Sequence, residues 1–193
     1  LISPDDALDR AGSTGKEFFF TRVRVVNETG DDCGPDEPGE VLVKGPHIMV
    51  GYLNREDATA ESIVDGWLRT GDVAVMDADG FVYIQDRVKD MIISGGENVY
   101  PAEIENAIFG MEGVNEVAVI GIPSEKWGES PLAVVVRADD SVTEDAVLDH
   151  VSGKLARFKQ PKKVEFVDAI PRNPTGKVLK RVLRDQFADV SAE

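Results

Sequence analysis

Lys177 is the residue whose setting most clearly invites chemistry. It follows Pro171-Arg172-Asn173-Pro174-Thr175-Gly176, where two prolines and a glycine make a stiff loop. The apolar spacing of Leu179, Val182, Leu183 and Phe187 predicts a helix from about Lys177 onward. A lysine in a first helical turn opposes the dipole by about 0.3–1 kcal/mol. A surface lysine tolerates that cost, and so does an ammonium held for charge developing on a substrate. Asp72, in Thr70-Gly71-Asp72 ahead of an apolar strand, carries a second candidate group. Its carboxylate could accept two hydrogen bonds from a sugar's vicinal hydroxyls, although the triplet by itself reads first as a turn. Ser94-Gly95-Gly96-Glu97-Asn98 links the apolar run Met91-Ile92-Ile93 to a helix opened by Pro101. Paired glycines permit positive φ and close approach of a ligand to the backbone. The segment lacks the G-x-x-x-x-G-K-[ST] pattern of a phosphate loop. Gly12-Ser13-Thr14-Gly15-Lys16 has no apolar strand before it and reads as a plain loop.

Other chemistries find little support. Cys33 is the only cysteine, so no internal disulfide can form and a reducing cytoplasm is the expected home. His47 and His150 are isolated from each other and from Cys33, which argues against a zinc centre. The net charge is −15, yet ten basic residues fall between Lys154 and Arg184, opposed only by Glu165 and Asp168. That segment reads as a solvated basic face or as a site for a phosphate-rich small ligand. The acidic remainder would repel a long polyanion, so nucleic acid is not expected. No apolar run is long enough to span a membrane, and the polar opening Leu1-Ile2-Ser3-Pro4-Asp5-Asp6 does not resemble a signal peptide. The missing initiator methionine suggests that the natural N-terminus lies upstream.

The elements that must position these groups fall into two kinds. Residues 21–84 read as β-rich: Arg22–Val26 alternates, Glu40–Lys44 follows Pro38-Gly39, and Val73–Met76 and Phe81–Ile84 flank the turn Asp77-Ala78-Asp79-Gly80. Short strands at this spacing suggest a small barrel or sandwich, with a helix near residues 56–64. After residue 90 the pattern mixes. Pro101 opens a helix whose Ile104, Ala107, Ile108 and Met111 share a face. Strands are expected at Val117–Ile122, Leu132–Val136 and Lys163–Val167. Between the last two, a helix starts near Ser141 or Thr143, with Ser141 and Glu144 at capping-box spacing. Its buried stripe is Val147, Leu148, Val151 and Leu155. The overall class is α+β.

The ordered set of motifs resembles one family. Gly39-Glu40-Val41, Gly51-Tyr52, Asp65-Gly66-Trp67, Thr70-Gly71-Asp72, Asp86-Arg87-Val88-Lys89-Asp90, Ser94 through Glu103 and Pro174-Thr175-Gly176-Lys177 run in sequence along nearly the whole chain. Together they resemble the adenylate-forming superfamily of acyl-CoA synthetases, adenylation domains and beetle luciferases, and most of all the bacterial long- and medium-chain fatty acid–CoA ligases. The resemblance implies that residues 1–86 are the barrel-like end of a large AMP-binding domain. Residues 87–89 would be a hinge and residues 90–193 a small mobile α+β domain. It further implies acid adenylation by ATP with Mg²⁺, then thioester formation with CoA, in a protein of which this chain is an incomplete catalyst. Loading of a carrier protein, aryl-CoA formation, and a non-catalytic nucleotide- or CoA-binding fragment are the alternatives.

Roles follow from the resemblance position by position. Asp72 matches the ribose-binding aspartate and Arg87 the nucleotide-contacting arginine. Lys89 matches the hinge, and Lys177 the lysine that meets the acid and the α-phosphate. Gly95, Gly96 and Glu97 match a loop lining the pantetheine channel, which Trp127 could also line. Phe158 and Lys159 sit where some relatives contact the CoA nucleotide. No metal ligand is expected in this stretch. The partners implied are small molecules: ATP or AMP, CoA and a carboxylic acid. Peripheral membrane contact and oligomeric state stay open.

Overall fold

The structure is a computed structural model that describes residues 1–192. The chain divides into two compact units, Leu1–Lys89 and the residues from Asp90 onward. Their content is mixed α and β, with curled antiparallel sheets.

The first unit holds α1 (Pro4–Asp9), β1 (Arg22–Val26), β2 (Gly39–Lys44), α2 (Glu56–Ser62), β3 (Ile63–Val64), β4 (Trp67–Met76) and β5 (Val82–Arg87). The strands form one five-stranded antiparallel sheet ordered β1-β2-β4-β3, with β5 also on β4. Ten-residue β4 is its spine. The hairpin at Asp77–Gly80 forms as its turn residues require: Asp77 Oδ1 accepts the N–H groups of Asp79 and Phe81, and Gly80 takes φ +82°. Thr70-Gly71-Asp72 does not precede this strand but lies inside it. Partners skip from Glu40↔Val73 to Leu42↔Arg69, so Thr70–Asp72 bulges from the ladder, with Gly71 at φ +70°. The loop at Gly12–Lys16 is structural. Thr14 N–H donates to Val82 O, and Val82 N–H to Gly15 O.

The second unit holds β6 (Ile92–Ser94), β7 (Glu97–Val99), α3 (Pro101–Phe109), β8 (Val114–Ser124), β9 (Gly128–Arg137), α4 (Glu144–Ser152), β10 (Lys163–Phe166) and α5 (Lys180–Gln186). Its sheet runs β10-β9-β6-β7, with β8 along the whole of β9, and only the β10/β9 pair is parallel. The run Leu132–Val135 is buried on both faces, which explains its unbroken apolar character. Ala133 and Val135 join Ile104, Ile108, Val147 and Val151 of α3 and α4 on one side. Leu132 and Val134 join Ile120, Ile122 and Leu183 of α5 on the other.

Three local expectations change. The capping box does not form: Thr143 is the N-cap of α4, its hydroxyl accepting the Ala146 N–H at 3.2 Å. Glu144 instead accepts the Val164 N–H at 3.0 Å, tying α4 to β10. The glycine pair does not join a strand to a helix but closes the two-residue hairpin between β6 and β7. Gly95 and Gly96 both have positive φ, as a turn matching the strand twist requires. Finally, α5 begins at Lys180, so Lys177 lies in the loop before it and pays no dipole penalty. Gly176 at φ +85° and the Arg172↔Val178 bridge exclude helix there.

Candidate functional site

In the first unit the bulge on β4 faces the end of β5. Asp72 and Arg87 are cross-strand partners, and Arg87 Nε meets Asp72 Oδ1 at 3.0 Å. Arg87 Nη2 also donates to Thr70 O at 3.2 Å. Glu40, itself paired with Arg69, accepts the Gly71 N–H at 3.2 Å, and the Thr70 hydroxyl accepts the Asp72 N–H at 3.1 Å. The bulge is thus held from both sides while Asp72 and Arg87 stay part-exposed. A carboxylate and a guanidinium side by side can accept from hydroxyls and donate to phosphate or ring acceptors of one ligand.

Lys89 lies exposed in the single 3-10 turn Val88–Asp90, at the boundary between the two units. Its neighbour Asp90 is buried and accepts from Arg184 of α5 at 2.8 Å.

In the second unit the structure brings Gly95 and Trp127 together. Gly95 N–H donates to Trp127 O at 2.8 Å, and Ser94 pairs with Gly128. A β-carbon on Gly95 would stand 2.7 Å from the indole. Trp127 is nonetheless 43% exposed, and Lys126 Nζ lies 4.7 Å from its ring centroid. Gly96 has open space where its side chain would be, and Glu97 is exposed. Glu129 steadies the ledge by accepting the Ile93 N–H at 3.1 Å. Glu129 was not singled out in the sequence; the only local signal was a carboxylate next to a turn glycine.

Part of the basic segment proves to be internal bracing. Lys159 gives both carboxylate oxygens of Glu103 a hydrogen bond, at 2.9 and 2.7 Å. Arg172 pairs with Glu116, Lys180 with Glu105, and Arg184 with Asp90. Lys159 is therefore a neutralised cation, while Phe158 beside it is 39% exposed. The cations left without a carboxylate within 4 Å among the described residues include Lys126, Arg157 and Lys162. Burial, with Arg157 and Lys126 nearby, holds the Lys162 ammonium below the ordinary lysine value.

Lys177 is exposed and sits in a closed turn. Its N–H donates to Asn173 Oδ1 at 2.9 Å, and its carbonyl accepts the Asn173 N–H at 2.9 Å. Among the described residues no group of His, Cys, Asp and Glu is placed to hold a metal ion, and no helix is long and apolar enough to cross a membrane.

Two family models match the chain: the AMP-binding enzyme over residues 2–53, and the AMP-binding enzyme C-terminal domain over residues 103–177. The long-chain-fatty-acid–CoA ligase FadD13 of Mycobacterium tuberculosis is 52% identical over 97% of this chain and 37% of its own length. A feruloyl-CoA synthase of an Amycolatopsis species is 49% identical over 93% of this chain, again 37% of its own. The o-succinylbenzoate CoA synthetase of Bacillus subtilis, solved in complex with the acyl-adenylate intermediate OSB-AMP, superposes with a TM-score of 0.89 at 40% identity. It is matched over 95% of this chain and 38% of that one. The chain thus spans little more than a third of these relatives. On these grounds the chain belongs to the AMP-binding enzymes, the adenylate-forming superfamily that includes the acyl-CoA synthetases.

Proposed function

We propose that the protein carrying this chain is an acid–CoA ligase that joins a carboxylic acid to ATP as an acyl-adenylate, releasing pyrophosphate, and then transfers the acyl group to CoA, releasing AMP. The observation that carries this reading is the Asp72–Arg87 pair on a braced bulge, a geometry suited to a ribose and its attached phosphate. Asp72 would accept the ribose hydroxyls and Arg87 would donate to the nucleotide. Lys177 would neutralise charge on the α-phosphate and the attacking carboxylate during adenylation. ATP would enter with Mg²⁺, for which the described residues offer no ligand cluster.

In this reading residues 1–86 end a large AMP-binding domain, residues 87–89 form the hinge, and the small domain begins at residue 90. Turning about Lys89 would withdraw Lys177 and present the ledge of Gly95, Gly96, Glu97 and Trp127 to pantetheine. For the CoA nucleotide, Phe158 offers an exposed ring. Lys159 is a weaker candidate than the sequence suggested, because Glu103 already holds its charge. Lys126, Arg157 and Lys162 fit the phosphates better: they carry repelling charge that an anion would relieve. The similarity to FadD13 favours a fatty acid as substrate. The similarity to a feruloyl-CoA synthase keeps an aryl acid as the second reading.

Product analysis on the parent enzyme decides between them. It would be supplied with ATP, Mg²⁺, CoA and a panel of fatty and aromatic acids, with mass spectrometry of the products. AMP and a fatty acyl-CoA are expected. Acyl-adenylate without any CoA thioester would point to a carrier-protein acceptor, and no adenylate from any acid would overturn the ligase reading.

A further inference from the structure

The loop that carries Lys177 is organised around one side chain. Asn173 Oδ1 accepts three hydrogen bonds: from Thr175 N–H at 3.0 Å, the Thr175 hydroxyl at 2.8 Å and Lys177 N–H at 2.9 Å. The Asn173 main chain closes the same turn. Its N–H donates to Lys177 O at 2.9 Å, and its carbonyl accepts the Gly176 N–H at 2.9 Å. Asn173 therefore brackets Lys177, fixing both of that residue's peptide groups while leaving its ammonium exposed.

Two further contacts fasten this turn to the sheet. Arg172 Nη1 donates to Gly176 O at 2.8 Å, and its Nε and Nη2 hold Glu116 Oε2 of β8 at 3.2 and 2.6 Å. Leu179 N–H donates to Pro171 O at 2.8 Å, closing the base of the loop. Without the Asn173 side chain, its two main-chain bonds, the base and the Arg172 brace would remain, but nothing would hold the N–H of Lys177. A lysine ammonium hangs on four methylenes, so a drift of its backbone carries directly to the charge.

We infer that Asn173 is a positioning residue for Lys177: its amide oxygen sets the backbone from which the ammonium is delivered, so its loss falls on adenylation and not on thioester formation. The inference rests on the reading of Lys177 given above. A neutral acceptor suits the place, because a carboxylate there would add a negative charge close to a lysine meant for phosphate and substrate acid. Serine can cap the same turn, more weakly, through its hydroxyl.

The test compares Asn173→Ala, Asn173→Ser and Lys177→Ala in the parent enzyme, each measured separately for acyl-adenylate formation and for thioester formation from preformed adenylate. Asn173→Ala should slow adenylation on the order of 10–100-fold, the scale of an ångström-sized misplacement. It should leave thioester formation within about twofold, and Asn173→Ser should recover most of the loss. In the present chain, trypsin should cut after Lys177 at least about threefold faster in Asn173→Ala, because the turn opens more readily. Unchanged adenylation by Asn173→Ala beside a crippled Lys177→Ala would overturn the positioning role and leave Lys177 standing. Equal loss in both half-reactions, without rescue by serine, would also overturn it. Full adenylation by Lys177→Ala would instead remove the reading beneath it.

Discussion

Asp72 and Arg87 stand directly opposite each other on β4 and β5, and their side chains meet at 3.0 Å. Neither is buried, so this is no core ion pair, and its net worth to stability is small. What the pair gains from the bulge is direction, since Thr70, Gly71 and Glu40 fix the backbone beneath it. Asp72→Asn keeps the shape but removes the charge and one acceptor face. In the parent enzyme it should raise KM for ATP roughly 10-fold or more, the scale of losing a charge-assisted hydrogen bond. Pyrophosphate exchange measures this, and an unchanged KM would remove Asp72 from the nucleotide site.

Lys89 lies two positions past the last residue of β5 and precedes buried Asp90. Proline there fixes φ and restricts the residue before it. Lys89→Pro should leave adenylation within a few-fold while slowing thioester formation by about 100-fold or more, as blocked domain closure does. Stopped-flow measurement of each half-reaction checks it; an unaffected thioester step would dismiss the hinge.

Gly95 has no room for a side chain. Alanine would put a β-carbon 2.7 Å from the Trp127 indole, at φ +62°. Gly95→Ala should destabilise the second unit by about 1–3 kcal/mol from strain and displacement of the ring. Adding Trp127→Ala should return part of that stability by removing the clash. Thermal unfolding of the four combinations gives the coupling, and strictly additive losses would show that the ring yields freely.

Lys162 carries its charge under protest from burial, Arg157 and Lys126. Its folded value lies below the unfolded one, so the unfolded chain binds more protons between the two. Stability should therefore rise with pH through the folded value and level off at the unfolded one. Lys162→Gln should abolish that rise and stabilise the chain at neutral pH. The same change should weaken CoA binding about threefold or more, as loss of a screened charge pair does. Denaturation between pH 7 and 11 and isothermal titration with CoA test both halves. A variant less stable at pH 7 would mean that Lys162 makes a favourable contact instead.

Much of this protein is local enough to be legible along the chain. Turn residues placed the Asp77–Gly80 hairpin, period-3.6 apolar spacing placed α3 and α4, and the apolar run at Leu132–Val136 marked a strand. The ordered motifs marked the family and suggested Asp72, Arg87 and Lys177. These signals work because turn geometry and amphipathic periodicity are set by neighbours a few positions apart. The basic segment from Lys154 to Arg184 could not be interpreted in the same way. Its charge left a solvated face and a phosphate-ligand site both open, yet Lys159, Arg172, Lys180 and Arg184 pair with Glu103, Glu116, Glu105 and Asp90, carboxylates that lie tens of residues earlier. Only folding decides which distant acid meets which base, because Coulomb attraction depends on spatial separation and solvent, not on chain order. The same holds for Trp127 against Gly95, joined by pairing of β6 with β9. It holds too for the exact start of α5, where the Asn173 turn overrode an apolar pattern and left Lys177 in a loop.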